Sequence, residues 1–193
     1  TAYYAITGKQ KNLTGTERMC QRPIKILVEA LRELGATIEY LQEDGYPPLK
    51  ISGFKGNGNN TLTVRSDISS QYISALLMIA PLLPEGLILE LEGKIGSRPY
   101  IEMTLSLMQH FGVSATFEGN TITVPNQNYK PATFAVEPDW SAASYWYSMV
   151  ALAKEAEITL PGLKEDSLQG DRAIVDIMNR LGVYTEFTES GIT

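Results

Sequence analysis

The amino-acid sequence repeats one arrangement of segments three times. Each copy reads as a helix, a short apolar strand, an amphipathic helix, a glycine and a further strand. The glycines that follow the amphipathic helices are Gly35, Gly112 and Gly182. Their spacing of about 70 to 80 positions is longer than the period of a solenoid and suits a small βαβαββ unit. We therefore predict an α+β fold built from repeated βαβαββ units.

Apolar residues recur at helical spacing before each of these glycines. The expected core stripes are Ile24, Leu27, Val28, Leu31 and Leu34 in the first copy, Ile101, Leu105, Met108 and Phe111 in the second, and Ala173, Ile174, Ile177, Met178 and Leu181 in the third. Two further helices, predicted over residues 69–83 and 141–154, are apolar on most faces. We expect them to lie inside their units.

The sequence near both ends indicates interrupted repeats. Residues 1–8 read as the last turns of a helix with a glycine stop. Residues 115–124 predict a hairpin around Gly119-Asn120, and Ser190-Gly191 would be the corresponding turn of the third copy, with its return strand absent. We therefore expect a chain truncated at both ends, a piece of a longer protein.

Composition excludes several classes of function. The chain has 193 residues, 44% of them hydrophobic, which is enough to bury a core. Its net charge of −6 argues against nucleic acid as a partner, and a single cysteine excludes an internal disulfide. The apolar stretches are too short for a membrane span. We expect a cytoplasmic protein.

Two predicted helix starts carry residues that suit an anion. Ser69, Ser70 and Gln71 follow Asp67 at the start of one helix, and residues 96–100, Gly-Ser-Arg-Pro-Tyr, begin the next. Asp and Ser are favoured helix caps, so capping alone accounts for them. Adjacent hydroxyls beside free N–H groups and the positive end of a helix dipole also make a phosphate cradle. These residues leave both interpretations open.

Arginines precede two of the predicted helices. Arg98 lies where a bound anion would meet a bidentate donor, and Arg22 precedes a helix in the first copy. If the repeated units meet at one cleft, these helix starts would lie together and could form a binding site for a polyanion. His110 and Cys20 lack the partners of a metal site or an activated nucleophile. Asp171 is expected to cap a helix.

Seven short segments form one ordered set along the chain: Arg22-Pro23-Ile24, Tyr46-Pro47-Pro48-Leu49, Ser69-Ser70-Gln71-Tyr72, Ala75-Leu76-Leu77-Met78, Ser97-Arg98-Pro99-Tyr100-Ile101, Ser144-Tyr145 and Gln169-Gly170-Asp171. Together they resemble the 5-enolpyruvylshikimate-3-phosphate synthase family, over a little under half of such a protein. The resemblance implies the enolpyruvyl transferase fold, which is inverse α/β barrel-like, with two lobes of three βαβαββ units each. It assigns residues 1–60 and 61–136 to the second and third units of the N-terminal lobe, and residues 137–193 to the start of the C-terminal lobe.

The resemblance also implies a reaction and a binding site. The enolpyruvyl group of phosphoenolpyruvate is transferred to the 5-hydroxyl of shikimate 3-phosphate and phosphate is released, with no metal or organic cofactor. Ser69, Ser70 and Ser97 match family hydroxyls around the shikimate phosphate. Tyr100 matches a tyrosine beside the shikimate ring.

Three further residues match contacts of the family with anionic groups. Arg22 matches an arginine that clamps phosphoenolpyruvate, and Gln71 matches an amide that touches both substrates. Arg98 stands where some relatives have lysine and is an additional candidate anion contact. The acid and base residues of the family lie outside this chain. The resemblance therefore assigns no catalytic residue here and implies that the chain alone lacks turnover.

Two alternatives remain at this stage. The enolpyruvyl transferase that acts on UDP-N-acetylglucosamine shares the architecture but matches poorly at the Ser-Ser-Gln and Ser-Arg-Pro-Tyr positions. A non-catalytic repeat module would instead bind a partner through its sheet surfaces. The substrate that the enzyme accepts distinguishes the first alternative from the family above. Concentration-dependent association of the chain would favour the second alternative. For the full-length enzyme the resemblance implies a monomer.

Overall fold

The structure is a computed structural model that describes residues 1–65, 70–96 and 98–193. Its elements in chain order are α1 (Ala2–Ile6), β1 (Lys11–Leu13), α2 (Glu17–Cys20), α3 (Lys25–Glu33), β2 (Ala36–Tyr40), β3 (Leu49–Phe54), β4 (Thr61–Arg65), α4 (Ser70–Ile79), β5 (Leu87–Glu92), α5 (Arg98–His110), β6 (Thr116–Glu118), β7 (Thr121–Val124), α6 (Trp140–Leu152), β8 (Leu160–Pro161), α7 (Ile174–Asn179), β9 (Phe187–Thr188) and β10 (Gly191–Ile192). Short 3₁₀ helices follow α4 at Ala80–Leu82 and precede α7 at Gly170–Ala173.

The repeat predicted from the sequence is visible in the sheets. In each copy, the strand before the amphipathic helix pairs with the last strand of the hairpin that follows that helix. The resulting orders are β1-β3-β2, β5-β7-β6 and β8-β10-β9. In the second copy β4 lies parallel to β5 and extends the order to β4-β5-β7-β6. The chain from β4 to β7 is therefore a βαβαββ unit, and the predicted α+β class is confirmed.

The chain divides into two compact units, Thr1–Pro131 and Ala132–Thr193. This division lies slightly before the predicted boundary between residues 136 and 137. The assignment of the two units to two lobes, and the further division of the first unit after residue 60, stay predictions.

Each unit has its own core. In Thr1–Pro131 the helices pack apolar side chains against the sheets, and Leu31, Leu77, Leu89 and Ile101 are fully buried. In Ala132–Thr193 the core surrounds the fully buried Trp140. Burial of such side chains contributes roughly 1.5–3 kcal/mol each. The helix starts described below are thus attached to well-packed helices.

The glycines that end the amphipathic helices adopt the predicted left-handed conformation. Their φ angles are +103° at Gly35, +81° at Gly112 and +88° at Gly182. Glycine enters this region without the steric penalty of a Cβ atom. At Gly35 a Cβ would also lie 2.2 Å from the carbonyl oxygen of Lys55. The first repeat therefore requires glycine at this position for two separate reasons.

Three predictions about the helices and strands of the third copy are wrong. Helix α6 is not enclosed: Tyr145 is 71% and Leu152 is 88% exposed, because the elements packed against it, mainly the 3₁₀ turn at Gly170–Ala173 and α7, cover one face of the helix. Helix α7 buries Val175 in place of Ile177. The preceding 3₁₀ turn has about three residues per turn and shifts the phase of the stripe. The return strand expected to be absent is present as β10.

Candidate active site

The starts of α4 and α5 follow strands that end at the same edge of one sheet. Strands β4 and β5 are parallel, with Arg65 opposite Glu92 at their carboxyl ends. Helix α4 begins at Ser70 and α5 at Arg98, shortly after these ends. In parallel α/β arrangements, ligands bind outside the carboxyl ends of the strands, where helix N-termini offer N–H groups. The topology thus brings together the two helix starts that the sequence marks as anion sites.

A pair of hydroxyls connects these two helices near their starts. The Oγ of Ser74 in α4 lies 2.8 Å from the Oγ1 of Thr104 in α5. Thr104 Oγ1 also donates to the carbonyl oxygen of Tyr100 at 2.9 Å. Because a hydroxyl carries one proton, Ser74 is then the donor to Thr104. Thr104 is 8% exposed and the bond is partly buried, so it connects the second turns of α4 and α5 at a defined spacing.

A third segment reaches the same helix start from the first repeat. Arg22 follows the short helix α2, and its backbone N–H donates to the carbonyl oxygen of Met19 at 3.2 Å. The next residue, Pro23, accepts a hydrogen bond from the hydroxyl of Tyr72 in the first turn of α4. The loop that carries Arg22 is therefore attached to the start of α4, and the Arg22 side chain is exposed.

The predicted substrate contacts are accessible wherever the structure describes them. Ser70 is half-buried at the first position of α4, and Gln71 beside it is exposed. Tyr100, in the first turn of α5, is 43% exposed. Ser69 and Ser97 lie outside the described residues. The structure thus brings Ser70, Gln71 and Tyr100 to neighbouring helix starts on one unit.

Arg98 is engaged by neighbouring side chains. Its Nε donates to Glu102 Oε1 at 2.7 Å, one turn further along α5. Its guanidinium carbon lies 4.3 Å from the centre of the Phe117 ring. A cation over an aromatic face and an i,i+4 ion pair both stabilise the folded chain modestly. These contacts give Arg98 a structural role, and its contact with an anion stays a prediction.

Among the described residues, the side chains with shifted pKa values are tyrosines that lie outside the candidate site. Burial raises the pKa of Tyr129, whose hydroxyl donates to the carbonyl oxygen of Met78 at 2.9 Å. Burial also raises the pKa of Tyr40 and of Tyr147. Within residues 1–65, 70–96 and 98–193 no group of three or more His, Cys, Asp or Glu side chains is placed to hold a metal ion.

In the second unit, one carboxylate organises the loops around the start of α6. Glu137 Oε1 accepts hydrogen bonds from Trp140 Nε1 at 2.9 Å and from the backbone N–H of Lys164 at 3.0 Å. Its Oε2 accepts from Ser167 Oγ at 2.7 Å and from Gln169 Nε2 at 3.3 Å. The carboxylate connects four donors from two segments and so fixes residues 164–169 against α6.

Asp171 does not cap the helix that follows it, contrary to the prediction. Its Oδ2 accepts a hydrogen bond from Ser141 Oγ at 2.6 Å, across to the first turn of α6. The cap of α6 is Asp139, which accepts from the N–H of Ser141 at 2.9 Å. The reason is the 3₁₀ turn at Gly170–Ala173, which begins before Asp171 and has Gln169 at its N-cap position.

The sequence did not identify three residues that organise these sites. Thr104 appears in the sequence as an ordinary helix position, Tyr72 appears only within the family-like segment 69–72, and Glu137 lies beside the predicted boundary between lobes. A polar atom on an otherwise apolar helix is the signal that marks Thr104, because a buried hydroxyl needs a partner. Tyr72 and Glu137 carry no comparable signal, since the partner of Tyr72 and three of the four partners of Glu137 are distant in sequence.

Comparisons with known proteins agree on one family. The family model described as EPSP synthase (3-phosphoshikimate 1-carboxyvinyltransferase) matches residues 1–193. A 3-phosphoshikimate 1-carboxyvinyltransferase of Bacteroides fragilis is 54% identical over 193 residues, covering 100% of this chain and 47% of the relative. The protein of the same name from Colwellia psychrerythraea is 41% identical over 184 residues, covering 94% of this chain and 43% of the relative. The chain spans about half the length of the curated relatives it matches.

Solved structures share the fold. The EPSP synthase of Acinetobacter baumannii superposes with a TM-score of 0.76 at 19% identity, over 98% of this chain and 42% of that protein. The enolpyruvyl transferase NikO of Streptomyces tendae superposes with a TM-score of 0.60 at 18% identity, over 95% of this chain and 43% of that protein. In the described part of the chain no helix is long and apolar enough to cross a membrane. With a family match along its whole length and the same α+β fold, the chain belongs to the EPSP synthase family.

Proposed function

We propose that this chain forms part of a 3-phosphoshikimate 1-carboxyvinyltransferase. The observation that carries the proposal is 54% identity to the Bacteroides fragilis protein of that name along all 193 residues. The substrates are phosphoenolpyruvate and shikimate 3-phosphate, and the products are the enolpyruvyl ether and phosphate. We propose further that the enzyme needs no metal or organic cofactor.

The chemistry requires a site that holds two anions side by side. The 5-hydroxyl of shikimate 3-phosphate loses its proton to a base as its oxygen bonds to C2 of phosphoenolpyruvate, and a proton is added to C3. The bond from C2 to the phosphate oxygen then breaks, a proton leaves C3 and phosphate departs. Holding both reactants together supplies much of the rate enhancement in such reactions. Because the chain carries a net charge of −6, attraction for these anions must come from local groups.

The start of α4 suits the phosphate of shikimate 3-phosphate. Ser70 lies at its first position with Gln71 beside it, and helix N-termini present free N–H groups and the positive end of the dipole. We assign Ser70, together with Ser69 and Ser97, to this phosphate, and Tyr100 to the shikimate ring. Support comes from the shared sheet edge at which α4 and α5 begin.

We assign Arg22 to phosphoenolpyruvate and Gln71 to both substrates. Support for Arg22 is its exposed guanidinium on a loop that is hydrogen-bonded to the start of α4. A guanidinium can bind a carboxylate or phosphate through two parallel hydrogen bonds. The acid and base residues of the reaction are proposed to come from the half of the family length that this chain does not span, so these 193 residues alone should release no phosphate from the two substrates.

The test is an amide chemical-shift titration of the chain with shikimate 3-phosphate, with shikimate as the control ligand. Shifts at Ser70, Gln71 and the neighbouring serines that require the phosphate group support the assignment. Equal shifts with shikimate contradict the phosphate cradle. A second titration with UDP-N-acetylglucosamine tests the alternative enolpyruvyl transferase. Shifts caused by that ligand and not by shikimate 3-phosphate would support the alternative.

Activity is tested in a chimera that contains both halves of the family length. Residues 1–193 replace the matching 47% of the Bacteroides fragilis relative, and phosphate release is followed with both substrates. Turnover comparable to that of the parent enzyme supports the proposed function. A folded chimera without turnover, beside an active parent, contradicts it.

A further inference from the structure

Tyr72 connects the start of α4 with the loop that carries Arg22. Its hydroxyl donates a hydrogen bond to the carbonyl oxygen of Pro23, and its half-buried ring packs against the core of the first unit. We propose that Tyr72 is a positioning residue that holds Arg22 at the start of α4 and so determines the affinity for phosphoenolpyruvate. This inference rests on the proposed function, because it concerns the same site.

Both ends of this hydrogen bond are rigidly connected to predicted substrate contacts. Tyr72 is the third residue of α4, directly after Ser70 and Gln71. Its acceptor belongs to Pro23, directly after Arg22, and the proline ring fixes φ near −65°. The Pro23 carbonyl precedes Ile24, the N-cap of α3, and therefore stands outside the hydrogen-bond ladder of that helix. The Tyr72 hydroxyl accordingly gives this carbonyl a partner on another element.

The remaining bonds of the Arg22 loop lead to other parts of the first repeat. Thr16 caps the four-residue helix α2 through Met19, and the N–H of Ile24 donates to the carbonyl oxygen of Gly45 at 2.8 Å. Both of these contacts position the loop relative to its own repeat. The Tyr72 bond positions it relative to α4, where the other substrate contacts are proposed to lie.

The two substrates should therefore respond differently to loss of this hydroxyl. Ser70 and Gln71 are part of α4 and keep their places when the bond is removed. Arg22 is held to α4 through the loop and gains freedom of movement. Weaker positioning lowers the affinity for the ligand of Arg22 without changing the phosphate cradle. A change confined to one substrate distinguishes positioning from a general loss of stability.

The test uses Tyr72→Phe, which removes the hydroxyl and keeps the ring, in the chimera with the Bacteroides fragilis relative. The KM for phosphoenolpyruvate should rise about 5-fold, the effect of one neutral hydrogen bond, while the KM for shikimate 3-phosphate stays unchanged. The matched control is Tyr129→Phe. Its hydroxyl donates to the carbonyl oxygen of Met78 at 2.9 Å, near the other end of α4, and its loss should change neither KM.

Hydrogen–deuterium exchange of the 193-residue chain tests whether the hydrogen bond of Tyr72 to Pro23 holds the Arg22 loop, and it needs no catalytic turnover. The amides of residues 20–22 and of Ile24 should exchange faster in Tyr72→Phe than in the unsubstituted chain, and at unchanged rates in Tyr129→Phe. Unchanged exchange of these amides in Tyr72→Phe overturns the inference.

The kinetic outcomes separate this inference from the proposed function. If the unsubstituted chimera is folded but inactive beside an active parent, the proposed function fails. If it is active and Tyr72→Phe leaves the KM for phosphoenolpyruvate unchanged, the positioning inference fails alone. Equal increases in both KM values, or the same increase in Tyr129→Phe, also overturn the inference, because they indicate general loosening of α4.

Discussion

Arg22 and Arg98 both precede or begin a helix, but their surroundings differ. The Arg98 guanidinium pairs with Glu102 and lies over the Phe117 ring. Arg22 is exposed, and it forms no ion pair with the described part of the chain. An exposed guanidinium without a carboxylate partner can bind an incoming anion without first breaking an existing pair. At the scale of single residues, substitution of Arg22 should therefore affect substrate binding, and substitution of Arg98 should affect the stability of the fold.

Replacement of Arg22 should weaken binding of phosphoenolpyruvate. In the chimera, Arg22→Ala removes a charge-assisted pair of about 2–4 kcal/mol, which corresponds to a rise in KM of roughly 30- to 700-fold. Steady-state kinetics with varied phosphoenolpyruvate measures it. Arg18→Ala, four positions earlier on the exposed helix α2, is the control and should leave KM unchanged. An unchanged KM in Arg22→Ala would refute the assignment of Arg22.

Replacement of Arg98 should mainly affect stability. Arg98→Ala removes a half-exposed i,i+4 pair and a cation over an aromatic ring, together about 1 kcal/mol of the free energy of unfolding. Urea denaturation of the chain measures this change. Lys94→Ala, an exposed cation before the same helix, should have no effect. A large rise in either KM at unchanged stability would instead make Arg98 the anion contact that its sequence position suggests.

At this scale the sequence indicated residue types but not their partners. It marked Ser70, Gln71 and Arg22 because hydroxyls, amides and cations at helix starts suit anions, and the family resemblance added Tyr100. It could not assign Arg98, because the choice between an anion and Phe117 depends on where a strand nineteen positions later returns. Side-chain partners that are distant in sequence are fixed by topology, which local patterns do not contain.

Among the elements, one aromatic position recurs in every repeat. The residue five places after each post-helix glycine is Tyr40, Phe117 or Phe187. Each ring lies beneath an arginine guanidinium. The distance from the guanidinium carbon to the centre of the ring is 5.0 Å for Arg32, 4.3 Å for Arg98 and 5.4 Å for Arg172. The arginines come from different helix positions in the three copies. The recurring feature is therefore a helix-to-strand contact rather than a sequence motif.

The Glu137 carboxylate should hold the loop before α7 against α6. Glu137→Gln keeps the shape but removes the charge, and its amide cannot accept all four hydrogen bonds. Because hydrogen bonds to a charged group are worth more than neutral ones, we expect a loss of about 1–3 kcal/mol in the stability of the second unit. The buried Trp140 makes its fluorescence the natural probe of urea unfolding.

The control for this substitution is Glu189→Gln, which changes an exposed carboxylate in the β9–β10 turn of the same unit. It should leave the urea midpoint unchanged. If Glu137→Gln also left the midpoint unchanged, the four hydrogen bonds would contribute no net stability.

Element types were predictable where periodicity was strong. The apolar faces of α3 and α5 and the glycines that end these helices lie where they were predicted. Both features depend only on residues within or next to the helix. The faces of α6 and α7 were mispredicted. An apolar helix is enclosed only if enough structure surrounds it, and a 3₁₀ turn rotates the stripe of the helix that follows. Neither condition can be read from the helix itself.

At the scale of the molecule, tyrosines that are wholly or partly buried make the free energy of unfolding depend on pH in the alkaline range. Burial raises the pKa of Tyr40 and Tyr129 in the first unit and of Tyr147 in the second. The unfolded chain then loses these protons near pH 10 while the folded chain retains them. The contribution of these tyrosines to the free energy of unfolding is fully present below pH 10. It is lost as the pH rises through the pKa values that the tyrosines have in the folded chain.

Urea denaturation between pH 8 and pH 11 should therefore show a falling free energy of unfolding above pH 10. Tyr147→Phe should reduce this slope for the second unit, as followed by Trp140 fluorescence. Tyr184→Phe is the control, because Tyr184 is 79% exposed. A slope that Tyr147→Phe leaves unchanged would contradict a contribution from this hydroxyl.

The order of strands in each repeat has a consequence for synthesis on the ribosome. The last strand of each repeat lies between the two strands that immediately precede it in the sequence. Strands β1 and β2 both pair with β3, and β8 and β9 both pair with β10. A growing chain cannot close such a sheet until its final strand has emerged. We expect nascent chains to become protease-resistant in steps, after β3, β7 and β10 have left the exit tunnel in turn, rather than gradually with length.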